Sequence, residues 1–291
     1  MKASIFVVLC YILVAKAGVG QSTADTTRQY RIETTDGNEY FGIILQNDSI
    51  FVRFATSNIG TITIQKKHII KIEDINKEQI IEGEVWYENL QATRYFWSPN
   101  GYGLKKGEGY YQNIWVMYNQ AGIGFSNYFS LGAGCVPLFL FAGASTPVWI
   151  VPKFSVPLIK NRLNMGIGAM AGAVVGEDSS AFGIAYGVLS FGPRDHTFTL
   201  GIGYGWAGYE WTNHPIITLS GMLRVGKRGY LLTENYFMQF GNERITLVML
   251  GGRAIIRKSG LDFGLVMPFF DEMDDMVAIP WLGITVPLQR K

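Results

Sequence analysis

Thr197-Phe-Thr-Leu-Gly-Ile-Gly-Tyr-Gly-Trp206 alternates without a break between a bulky apolar residue and a threonine or glycine. In an extended chain Phe198, Leu200, Ile202, Tyr204 and Trp206 share one face, and Thr197, Thr199, Gly201, Gly203 and Gly205 share the other. A strand of a soluble sandwich would turn its large side chains into a core and carry charge on its outer face. Here the second face is nearly bare, which suits a strand with lipid outside and a crowded interior within. The stretch therefore predicts an all-β fold, a transmembrane antiparallel up-and-down β-barrel.

The rest of the chain is consistent with that expectation. Its 291 residues have room for one large domain and a small one. Hydrophobic residues make up 48% and aromatics 14%, and 35 glycines allow close backbone approach, a mixture that favours strands over helical bundles. A formal charge of +2, with no Lys/Arg stripe between aromatics, leaves no electrostatic footprint for nucleic acid. Met1-Lys2, the apolar run from Ala3 to Ala15 and the Ala15-Lys16-Ala17 cleavage signal read as a signal peptide over residues 1–17. Cys10 lies in that run without a lipobox. After cleavage Cys135 stands alone, which excludes a disulfide framework and a thiolate metal cluster. No later stretch approaches the ~18 apolar residues of a membrane helix, so any crossing is made by strands.

After a polar linker, residues 18–29, short alternating runs and turn signals predict five strands, at 30–35, 39–45, 49–56, 61–65 and 69–75. The phrase Asp36-Gly-Asn-Glu-Tyr-Phe-Gly-Ile-Ile-Leu45, with Asp48-Ser-Ile-Phe-Val52 and Gly60-Thr-Ile-Thr-Ile64, resembles a small Sm-like or SH3-like barrel. Export makes the RNA binding of many Sm-like domains implausible. An accessory periplasmic domain (residues 30–82) is expected, with a plug or a docking module for another envelope protein as the functional alternative. Residues 83–92 read as a connector.

From residue 93 onward Thr93-Arg-Tyr-Phe96, Leu104-Lys-Lys-Gly-Glu-Gly-Tyr-Tyr-Gln-Asn113, Thr146-Pro-Val-Trp-Ile150, Gly226-Lys-Arg-Gly-Tyr230, Thr233-Glu-Asn-Tyr236 and Ile279-Pro-Trp-Leu-Gly283 resemble uncharacterised outer-membrane barrels of the Bacteroidota type. The resemblance implies fold and location and carries no active site. About 12 strands fit within residues 93–291, most of them long enough for the ~9–11 residues a crossing needs. The first two are placed at 93–98 and 110–125. Alternate connections are basic, with Lys160 and Arg162, Arg194, Lys227 and Arg228, and Arg257 and Lys258. Strand parity puts these on the side of the N-terminal domain, the periplasm, and the acidic connections outside. Pro147, Pro152 and Pro157 crowd one strand and predict a bulge or a local opening there.

Parity also sorts the charges. With Leu223 and Val225 outside, Arg224 turns inward; with Phe263 and Leu265 outside, Asp262 does; Lys153 and Arg253 follow the same rule. Glu234 joins them if the connection at Lys227-Arg228-Gly229 is a three-residue loop. Such charges pair and fill the interior, or they form a constriction for ions or small polar solutes. A second sector, Gly132, Gly134, Gly166, Gly168, Gly172, Gly183, Gly187, Gly201, Gly203 and Gly205, reads as an inner wall with little side chain, beside which an acyl chain, a folded-in loop or the N-terminal domain would lie.

Signals for chemistry are weak. His68, His196 and His214 are scattered without metal-ligand spacing. Ser220 and His214, six positions apart on one strand, stand near 20 Å from each other, too far for a dyad. Residues 101–109, Gly-Tyr-Gly-Leu-Lys-Lys-Gly-Glu-Gly, lack the phosphate-loop order and read as an extracellular loop. Gly166, Gly168 and Ala171 mimic a dinucleotide fingerprint on what periodicity makes a strand. The acidic turn at 271–275 misses the EF-hand spacing for a divalent cation. The expectation is a monomeric, non-enzymatic barrel in outer-membrane lipid with no catalytic, cofactor or metal residues, either structural or a narrow pore. A soluble β-sandwich binding protein and a lipid-modifying enzyme are the alternatives.

Overall fold

The computed structural model describes residues 28–56, 58–75, 80–81, 84–177, 181–256, 258–271 and 277–289. The expected signal peptide, linker residues 18–27, Arg257 and most of the 271–275 turn lie outside them. The chain divides into two compact units, Met1–Val85 and Trp86–Lys291.

In the first unit β1 (Gln29–Thr34), β2 (Glu39–Asn47), β3 (Phe51–Thr56), β4 (Gly60–Gln65) and β5 (Ile69–Ile75) form an antiparallel sheet in the order β4-β3-β2-β1-β5. All five expected strands are present with ends shifted by no more than two residues. A two-residue pair, β6 (Ile80–Ile81) and β7 (Glu84–Val85), follows. Val52 and Phe54 alternate with exposed Arg53 and join Ile32 and Ile64 in a closed apolar cluster. The turns are made by the residues that marked them. Gly37 and Gly60 take positive φ of 84° and 83°, and the Asp48 carboxylate accepts from the backbone N–H of Ile50 at 2.8 Å and Phe51 at 2.9 Å.

Those two N–H groups hold the Asp48 carboxyl below its ordinary value, Phe51 contributing most. A depressed folded-state value stabilises the turn above the unfolded carboxylate pKa of about 3.9, and the benefit is lost as pH falls through the folded value. An NMR titration of the Ile50 and Phe51 amide protons is expected to show a shared midpoint below about 3.9, which disappears in Asp48→Ala.

The second unit is built from β8 (Glu108–Ile114), β9 (Tyr118–Gly124), β10 (Phe129–Cys135), β11 (Thr146–Ile159), β12 (Leu163–Val175), β13 (Phe182–Phe191), β14 (His196–Ala207), β15 (Glu210–Trp211), β16 (Ile216–Arg224), β17 (Gly229–Phe240), β18 (Glu243–Ile256), β19 (Ser259–Phe270) and β20 (Ile279–Gln289). A five-residue helix, α1 (Pro137–Phe141), sits between β10 and β11. Each long strand pairs antiparallel with its sequence neighbour, and β20 pairs with β8 from Gly283↔Ile114 to Gln289↔Glu108. The sheet therefore closes as a barrel of 12 strands, with β15 a two-residue extension on β14. Closure overturns the sandwich alternative for the fold.

Phe198, Leu200, Ile202 and Tyr204 are 43–53% exposed, while Thr197, Thr199, Gly201, Gly203 and Gly205 between them are buried. The deciding stretch thus presents its bulky row to the exterior. β11 accommodates its three prolines as a continuous strand whose ladder with β12 shifts register between Pro157 and Ile159.

Two strand assignments need correction, and they cancel in the count. Residues 93–98 form no strand; the peptide groups of Tyr95, Trp97 and Ser98 bond inward-facing side chains instead of a neighbouring strand. Residues 110–125 are two strands, β8 and β9, reversed at residues 115–117, where Trp115 and Val116 take left-handed φ of 50° and 65°. Neither residue type announces such a turn. It is held by the Val116 N–H on Asn113 Oδ1 at 3.2 Å and by Trp115 Nε1 on the Pro280 carbonyl at 2.8 Å. The 101–109 stretch lies at the opposite end from that expected: the Gly107 N–H bonds to Gly124 O at 2.9 Å, at the end that carries the basic turns and both ends of the barrel chain.

Candidate functional site

Residues 86–107 lead into β8, and the segment around 89–103 lies inside the barrel. The expected connector is thus largely part of the second unit, with Asn89, Gln91 and Ala92 buried. Tyr95 and Phe96, at 0% and 1% exposure, pack with Met222, Tyr230, Leu232, Met249, Ile255, Val266 and Trp281, inward-facing residues of β16 to β20. This apolar inner sector was not expected. Its signal was present in the alternation of Met249 with Leu250 and of Ile255 with Ile256, where both faces are apolar.

An irregular segment at this depth must satisfy its peptide groups on protein. It does so on the charges that parity turned inward. Arg253 holds Asp262 through Nε at 2.6 Å and Nη2 at 2.9 Å, and donates to the carbonyls of Gln91 at 2.9 Å and Tyr95 at 2.6 Å. Glu234 accepts from the backbone N–H of Trp97 and Ser98, both at 3.0 Å, and from the Tyr236 hydroxyl at 2.5 Å. Lys153 donates to the Tyr102 carbonyl at 2.6 Å. Arg224 binds Asp195 at 2.8 Å and donates to the Tyr87 carbonyl at 2.7 Å, with Trp86 under its guanidinium at 4.8 Å. Gln112, Ser190 and Arg194 complete the set, on Phe96 O, Gly101 N and Gly103 O.

All five expected lumen charges are buried in the interior. The expectation that these charges pair within the set holds for Arg253 and Asp262, which are register partners on β18 and β19. Four of the five, Lys153, Arg224, Glu234 and Arg253, bind the backbone of the internal segment directly, and Asp262 acts through Arg253. The loop that turns Glu234 inward has three residues, but it spans 226–228, one position earlier than expected: the Val225 N–H bonds to Gly229 O at 3.0 Å, and the parity of Glu234 is unchanged.

The glycine wall is partly corrected. Gly132, Gly134, Gly166, Gly168, Gly172, Gly201, Gly203 and Gly205 share the inward parity of Lys153, Asn164 and Thr199. Gly183 and Gly187 face outward, in register with Trp206 and Ile202 on the outer row of β14. They were misplaced because glycine carries no facial label and β13 is apolar on both faces. Nor is the inner sector bare. A Cβ at Gly122 or Gly134 would strike the ring of Tyr110 or Trp149, and one at Gly168 the Tyr186 hydroxyl, so the glycines make room for neighbouring rings.

Between this sector and the internal segment lies a cavity of about 160 Å³, bordered by Arg94, Trp97, Tyr110, Lys153, Met170, Ile184, Tyr186, Val188 and Ile216 among others. Arg94 lies over Tyr110, its guanidinium carbon 3.4 Å from the ring centroid. The inward residues toward the basic end, Asn164, Ser190 and Met222, are buried, whereas Met170, Ile184 and Ile216 near the opposite end are part exposed.

No family model, curated protein or solved structure matches the chain. The lumen is therefore read from its own geometry. Ser220 and His214 are not brought together as a catalytic pair. Ser220 is buried against Ser98 at 3.2 Å, and His214 is exposed in the 208–215 connection. Among the described residues no group of three His, Cys, Asp or Glu side chains could hold a metal.

Arg253→Ala is expected to cost about 3–5 kcal/mol, because it strands the Asp262 charge in the interior. Replacing both residues by leucine is expected to cost less than the single change, yet to leave the Gln91 and Tyr95 carbonyls without donors. Urea unfolding measures the first effect, and faster tryptic cleavage after Arg94 in the double variant measures the second.

Proposed function

We propose that this chain is an outer-membrane barrel of the Bacteroidota type, held closed by its own segment, that binds within its lumen rather than passing solutes through it. The observation that carries this reading is the backbone of residues 87–103 bonded to Lys153, Glu234, Arg253 and Arg224. A pore lined by those charges would leave them free to meet ions; here Arg253, Arg224 and Glu234 are committed to the segment and to their own partners, and Lys153 is anchored on the Tyr102 carbonyl.

Support for the membrane comes from the outer face. An apolar belt runs round the barrel, with aliphatic Ile167, Leu200, Leu250 and Leu265 exposed in the middle. Exposed Phe125, Phe191 and Phe198 lie toward one end, and Tyr204, Phe237 and Phe240 toward the other. Such aromatic girdles mark the two interfaces of a bilayer. The basic turns share the end at which β8 begins and β20 finishes, which we assign to the periplasm, with the small N-terminal sheet there as an accessory or docking domain for another envelope protein. Lipid is the partner of the outer face, the barrel acts as a monomer, and no enzymatic role is assigned.

Planar-bilayer recording tests the closed state. The native protein is expected to give no current steps, whereas Arg253→Leu/Asp262→Leu, which frees part of the internal segment, is expected to give intermittent ones. Steady conductance from the native protein would restore the narrow-pore reading.

A further inference from the structure

The cavity has two kinds of wall. Met170, Ile184, Val188 and Ile216 make one side apolar, and Gly122, Gly132, Gly201 and Gly203 widen it by carrying no side chain. Lys153 and Arg94 border it too, at 7% and 5% exposure. Among the described residues neither cation has a carboxylate partner. Lys153 donates to the carbonyls of Tyr102 and Thr93, and Arg94 to Gln91 Oε1 at 3.1 Å. Glu234 offers no relief, since its oxygens already accept from Trp97, Ser98 and Tyr236. Two further donors are buried without a partner, Arg94 Nε and the Tyr186 hydroxyl, and Tyr186 also lines the cavity.

Buried charge is retained where something pairs with it, and a mostly apolar pocket with a few convergent polar groups is the ordinary form of a small-molecule site. Two cations without a carboxylate partner and an idle phenol beside apolar walls fit an anion with a hydrocarbon body. The volume suits a short apolar body, since a dry cavity of about 150 Å³ accommodates one benzene ring.

We propose that the lumen cavity binds a small amphipathic monocarboxylate, its carboxylate taken by Lys153, Arg94 and Tyr186 and its short apolar body by Met170, Ile184 and Ile216. This rests on the closed-barrel reading and adds the ligand class to it. Glycine matters here as space: the Tyr186 ring lies across Gly168, which keeps its hydroxyl in the lumen.

The test uses the full chain folded in an uncharged detergent, with hexanoate as the probe and hexanol and hexylamine as controls, followed by calorimetry and by the fluorescence of Trp97, which borders the cavity. Hexanoate is expected to bind saturably and at least tenfold more tightly than either control. Tyr186→Phe removes a hydroxyl with no partner, so unfolding is expected to be unchanged while hexanoate affinity drops several-fold; Ile184→Trp fills the space and is expected to abolish binding. Equal affinity for hexanol, or full hexanoate affinity in both variants, overturns the assignment. A barrel silent in bilayers that shows no saturable hexanoate binding overturns the ligand class alone, whereas a conducting barrel overturns the reading on which it rests.

Discussion

Arg253 is the constraint on which the lumen depends. It is 1% exposed, and a guanidinium so placed must have every donor answered. One edge is answered by Asp262, its register neighbour on β19; the other is answered by the carbonyls of Gln91 and Tyr95, which belong to no strand. Without the internal segment, that second edge would face an empty interior. The barrel wall and the segment are thus complementary: the wall supplies charges that need polar partners, and the segment supplies peptide groups that need the same.

The interior divides into parts by chemistry. On the β16 to β20 side an apolar inner sector receives Tyr95 and Phe96, and burial of those rings provides a non-directional driving force for docking. Around it the charged anchors fix register, because each bonds a particular carbonyl or N–H. On the β9 to β14 side, glycines let the rings of Tyr110, Trp149 and Tyr186 lie across neighbouring strands and leave the space that the segment does not occupy. Apolar packing holds the segment in place, the charges decide which residues sit where, and the glycine sector keeps room.

The strands of both units were legible because period-two alternation is a property of each strand by itself. Phe198 to Tyr204 needed no distant partner to declare their face. The inward charges were legible for the same reason, and Arg224, Glu234 and Asp262 each sit where parity put them. What they bind was not legible. The segment at 89–103 has no period, and its bonds to Arg253 and Glu234 span more than a hundred positions in sequence. The reversal at Trp115-Val116 lacks the glycine or asparagine that usually accompanies positive φ, so β8 and β9 read as one element. Gly183 and Gly187 failed differently, since residues without side chains carry no information on facing.

The claim that residues 89–103 occupy the lumen is tested most directly by a cross-link. Ser98 and Ser220 face each other with their hydroxyl oxygens 3.2 Å apart, one on the internal segment and one on the wall. In a chain with Cys10 and Cys135 replaced, Ser98→Cys and Ser220→Cys together are expected to form an intramolecular disulfide in the folded, membrane-inserted protein, seen as a thiol-sensitive shift in electrophoretic mobility. Two thiols that stay unlinked in the folded barrel under oxidising conditions, and that both react with a water-soluble maleimide, would place the segment outside the lumen and contradict the account.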